Sequence, residues 1–135
     1  MRVTFLNQPI LVPHGNGDEW ALYEDFAVLI ETDAADDSVV ITVPKGSITD
    51  LASIPELPVV FLAFEGKARR AAVLHDFLYE RQYPRAWADA VFYAAMKNEV
   101  NNLDRYLMWL AVRVGGHAAW ANVIPLPPET ERQAS

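Results

Sequence analysis

Three short polar motifs stand in apolar surroundings: Thr49-Asp50 ahead of Leu51-Ala52-Ser53-Ile54-Pro55, His75-Asp76 between Leu74 and Phe77, and Asp89 after Trp87-Ala88. Together they supply one imidazole and three carboxylates, Asp50, His75, Asp76 and Asp89. Hard and borderline divalent ions accept that ligand set. In such a site His75, Asp50 and Asp89 hold zinc, manganese or iron, and the remaining carboxylate takes a proton from a metal-bound water. The same residues also make a purely structural network. Asp50 then caps the turn that follows it, Asp89 pairs with Arg85 one helical turn earlier, and His75 donates to a carbonyl or to Asp50. Both readings predict that Asp50, His75 and Asp89 converge, because polar groups on apolar faces need partners.

Other chemistries lack their residues. With no cysteine there is no disulfide framework, thiolate zinc site or thiol nucleophile. No Gly-x-Ser-x-Gly, His-Glu-x-x-His or glycine-rich phosphate loop occurs, and Ser38, Ser47, Ser53 and Ser135 have no context that activates a serine. Asp33, Asp36 and Asp37 read as a solvated hairpin loop, since no glycine or terminal glutamate follows at calcium-loop spacing. His14 in its glycine-rich loop reads as a surface residue.

The elements that position these groups change period along the chain. Before residue 45, β-rich runs at 20–23, 26–31 and 39–43 alternate with turn residues and predict one small antiparallel sheet. After residue 66 the period becomes about 3.6, predicting helices near 67–81, 85–99 and 102–121. On the first, Ala68, Ala71, Ala72, His75 and Tyr79 share a face. On the second, Arg85, Asp89, Phe92 and Met96 do, which sets a carboxylate in an apolar stripe where it must be paired or coordinated. Helices joined by a short link pack antiparallel, so His75 and Asp89 face each other across the pair. The third carries Tyr106, Trp109, Arg113, His117 and Trp120 along one side, weakened locally by Gly115-Gly116. Aromatic and basic residues of this kind concentrate at interface hot spots, so the strip is a candidate partner surface; packing of its tryptophans against the sheet is the alternative. The expected fold is α+β: a small antiparallel sheet from the N-terminal third packed against three C-terminal helices, in one domain over 1–135 that ends in a Pro-rich extended tail, 123–135.

Composition bounds the partners. The chain has 135 residues, 52% of them hydrophobic, enough for a single core and too apolar for a disordered chain. Its net charge is −7, with −9 in residues 1–66 and +2 in residues 67–135. A chain of that sign is repelled by phosphate backbones, so nucleic acid is not expected as a partner. No apolar run reaches the roughly 20 residues of a membrane helix, and the start, Met1-Arg2-Val3-Thr4, has no signal-peptide apolar region. The expectation is a soluble, unprocessed protein.

Five motifs in order carry a family resemblance: Val43-Pro44-Lys45-Gly46, Thr49-Asp50-Leu51-Ala52-Ser53-Ile54-Pro55, Ala71 to Tyr79 around His75-Asp76, Arg85-Ala86-Trp87-Ala88-Asp89 and Phe92-Tyr93-Ala94-Ala95-Met96. Over about residues 20–117 the chain resembles the phage and prophage family called domain of unknown function 1353, with Ser47 where the family usually has an aromatic residue. The resemblance implies a phage or prophage origin, a place in the host cytoplasm or the virion, and a polar set onto which Asp50, His75, Asp76 and Asp89 map. It implies no reaction. The His75-Asp76 doublet is also similar to that of the HD phosphohydrolases, but the upstream helical histidine of those enzymes has no counterpart. Two functions follow as expectations. The first is a virion-associated or assembly accessory protein with a structural Asp/His network, whose partners are other phage proteins or a second copy of itself. The second is a small metal-dependent hydrolase using Asp50, His75 and Asp89.

Overall fold

The computed structural model describes residues 1–15, 19–33, 37–49 and 68–121, apart from the side chains of residues 118 and 119. Asp50, the tail 123–135 and the centre of the aspartate-rich loop lie outside the described residues.

The fold is α+β. Among the described residues six strands, β1 (Arg2–Phe5), β2 (Leu11–His14), β3 (Glu19–Leu22), β4 (Phe26–Glu31), β5 (Ser38–Val43) and β6 (Ile48–Thr49), precede the helices. These are α1 (Arg69–Glu80), α2 (Arg85–Ala95), α3 (Asn102–Gly115) and the short α4 (His117–Ala121), with a 3-10 turn, Met96–Asn98, after α2. The strands form two antiparallel sheets, β1-β4-β5 and β2-β3-β6, where sequence periodicity predicts one. β1, β2 and β6 are two to four residues long and belong to partners rather than to their own apolar pattern. Pro13, which cannot donate to a ladder, sits on the edge strand β2.

Strand alternation sets the core face. Phe26, Val28 and Ile30 of β4 are buried, and the register places Phe26 opposite Val43 and Val28 opposite Ile41, both buried as well. The other face of the core comes from α1 and α2, through Ala71, Leu74, Leu78, Val91 and Phe92. Between β5 and β6 the chain reverses at Pro44–Ser47. Gly46 takes φ +87 there, a conformation that disfavours any side chain, and Ser47 Oγ donates to the Pro44 carbonyl at 2.7 Å.

The third predicted helix divides at Gly116 into α3 and α4. A Cβ at Gly116 would lie 2.6 Å from the Tyr79 hydroxyl and would strike the Val112 carbonyl oxygen, so only glycine lets this backbone approach α1 so closely.

Candidate functional site: a buried carboxylate joining three helices

Asp89 lies in the middle of α2 with no exposure to solvent, and α1 and α3 both turn side chains towards it. His75 and Tyr79, one turn apart on α1, reach the same oxygen: His75 Nε2 is 2.8 Å from Asp89 Oδ1, and the Tyr79 hydroxyl donates to that oxygen at 2.6 Å. From α3, Arg113 Nη1 donates to Oδ2 at 2.7 Å. Arg85 stands 4.0 Å from Oδ2 through Nε, too far for a hydrogen bond but close enough to attract. It spends Nη2 on the last carbonyls of α3, those of Val112, at 2.9 Å, and Arg113. A cation there complements the negative end of the helix.

The protonation states follow from these contacts. Burial pushes His75 below its ordinary value despite the favourable carboxylate, so the ring is neutral and its Nε2 carries the proton that Asp89 accepts. Burial would raise Asp89, but donation from His75, Tyr79 and Arg113 overcomes it and holds the carboxyl below the usual range. Burial and the neighbouring carboxylate push the Tyr79 hydroxyl up, so it stays a donor. The His75 ring is packed between Tyr79 and Phe92, with centroids 4.1 and 4.6 Å away.

Of the residues picked out from sequence, the structure therefore joins His75 to Asp89. Asp76, the next residue on α1, faces another way and accepts from Thr49 Oγ1, which ties the helix to β6. Asp50 lies outside the described residues. Tyr79 and Arg113 complete the cluster. Tyr79 was legible only as a face-mate of His75, and no local pattern links Arg113 to Asp89 across 24 residues.

The helical strip separates into different environments. Tyr106 and Trp109 line a groove of about 560 Å³ with Tyr93 and Arg105, whose guanidinium lies 3.8 Å over the Tyr93 ring. Arg113 turns inward to Asp89, Trp120 donates through Nε1 to the Tyr83 carbonyl at 2.9 Å, and His117 is exposed.

The cluster is a poor cation site. Both Asp89 oxygens already accept hydrogen bonds and two guanidinium groups stand beside them, so a metal ion would meet positive charge and a committed lone pair on each oxygen. Among the described residues no group of three His, Cys, Asp or Glu side chains is placed to hold a metal, and no helix is long and apolar enough to cross a membrane.

Two small antiparallel sheets on a helical layer, braced by one buried carboxylate that accepts three hydrogen bonds, define an α+β scaffold. The chain belongs to the family described as Protein of unknown function (DUF1353), which matches residues 20–112. No curated protein and no solved structure matches it.

Proposed function

We propose that this protein is a phage- or prophage-encoded accessory component, associated with the virion or its assembly, in which the Asp89 cluster braces the helices rather than performing a reaction. One observation carries this reading: Asp89 is fully enclosed and its two oxygens are occupied by His75, Tyr79 and Arg113. A general base needs a free lone pair within reach of a substrate proton, and a metal ligand needs one aimed at an open coordination position. A brace needs neither. The phage association rests on the resemblance carried by the motifs around Asp50, His75 and Asp89.

Particles released from the host that encodes the chain, purified and digested for mass spectrometry, test the assignment together with metal analysis of the protein purified without added metal. The expected result is the chain in particles or assembly intermediates, no stoichiometric zinc, manganese or iron, and a melting temperature unchanged by chelator. Stoichiometric metal whose removal lowers the melting temperature would overturn the brace reading in favour of the hydrolase built on Asp50, His75 and Asp89. Absence from particles and intermediates alike would overturn the accessory role.

A further inference from the structure

The helix α3 is apolar on two opposite sides. Met108, Ala111 and Val112 face the core, while Leu103, Leu107, Leu110 and Val114 remain 67%, 38%, 38% and 75% exposed. At 100° per residue these four fall within an arc of about 60°, a single narrow stripe pointing away from the fold. An exposed apolar stripe on a helix whose other apolar face is already buried is a candidate for cover by a partner. The stripe's steps of four, three and four residues are those of a coiled-coil seam, in which one helix supplies knobs to the holes of another.

The occupant follows from the symmetry of that spacing. Steps of four, three and four read the same from either end of the helix. A two-fold axis crossing α3 between Met108 and Trp109 therefore brings Leu103 level with Val114 of a second copy, and Leu107 level with Leu110. We propose that α3 pairs antiparallel with the α3 of a second copy of this chain, through Leu103, Leu107, Leu110 and Val114. The result is an isologous dimer, in which the same patch serves both subunits.

Area and charge both permit it. The exposed parts of these four side chains, with half-exposed Tyr106 at the rim, amount to roughly 500 Å² per copy, so the pair buries on the order of 1,000 Å², the lower bound for a specific interface. An interface of that size is weak and concentration-dependent. The stripe contains no charged residue, and the chain's excess of acids lies in residues 1–66, so the repulsion of two −7 chains is not focused on this face.

Sedimentation equilibrium over a range up to about 500 μM tests the pairing, because a weak dimer forms only near its dissociation constant. The expected mass rises with concentration from 15.1 kDa towards twice that value. Leu110→Lys, at an exposed position beside the two-fold axis, should weaken the association at least about tenfold by setting like charges face to face, with the fold kept. Orientation is read by disulfide trapping, since the chain has no cysteine of its own. Leu103→Cys and Val114→Cys variants should cross-link to each other when mixed and not to themselves. A 15.1 kDa species at every concentration, an unchanged dimer in Leu110→Lys, or self-linking of each single variant would overturn the proposal. The first of those outcomes would leave the face to a partner of another kind.

Discussion

Asp89 is the residue on which the helical layer depends most. Asp89→Ala leaves Arg113, His75 and Tyr79 without the acceptor they share and Arg85 without its neighbouring negative charge, and removing one member of a buried charged pair costs about 3 kcal/mol or more. Urea unfolding of the variant should show that loss, and a variant as stable as its parent would refute the brace. His75 sets the acid side of the stability profile. Its folded value lies below the usual 6.5, so as pH falls past that point the unfolded chain takes up a proton that the folded chain refuses, and stability drops. Asp89 adds a second loss further down, where the unfolded carboxylate is half-protonated at 3.8 while the folded one still holds its charge. Unfolding free energies measured between pH 8 and pH 5 should therefore decline, and His75→Gln, which keeps an N–H donor but does not titrate, should flatten that decline. The pairing of His75 with Asp89 was legible in sequence because both sit on inward helix faces joined by a short link. Arg113 was not, because its own helix reads equally well rotated to show it to solvent beside Tyr106.

Among the elements, α1 and α2 are close to their sequence expectation, since continuous apolar periodicity and Pro84 define them. The N-terminal strands are less so. β1 holds only four residues and takes its register from β4, with Arg2 paired to Glu31 across the ladder; a segment that short carries too little periodicity to be told from an irregular start. The outer stripe of α3 is present in the spacing of Leu103, Leu107, Leu110 and Val114, beside the aromatic strip that holds Tyr106 and Trp109. The junction of α3 and α4 yields a sharper test. Gly116→Ala forces a methyl group into the Tyr79 hydroxyl and should cost about 1–3 kcal/mol, as overpacking of a filled site does. Tyr79→Phe removes that hydroxyl, so the double variant should be less destabilised than the sum of the two singles. Strict additivity in thermal or urea unfolding would show that the contact is not the cause.

For the molecule as a whole, positive charge is scarce: residues 67–135 carry only +2, and among the described residues Arg70, Arg85, Arg105 and Arg113 are engaged within the fold. A mobility-shift assay at about 150 mM salt should show no retention of duplex DNA or RNA, because few cations are left to displace phosphate counterions. The α+β class was legible because hydropathy changes period near residue 66. The division of the strands between two sheets was not, because a strand's pattern records which face is buried and not which neighbour it joins.

The helices also finish one another's ends. No side chain at Ala68 caps α1; instead Glu99, beyond the 3-10 turn, accepts from the Ala71 amide at 3.3 Å and from Arg70 Nε at 3.1 Å, its carboxyl pushed up by burial. The last carbonyls of α3 are closed by Arg85 at the start of α2. α1 and α3 thus each borrow a terminus from a segment distant in sequence, so a fragment ending before Glu99 loses the lid of its first helix and one beginning after Arg85 loses the stopper of its third. The helical layer should therefore open as a single cooperative unit. In native-state hydrogen exchange, the slowest amides of α1, α2 and α3 should share one opening free energy rather than exchange helix by helix.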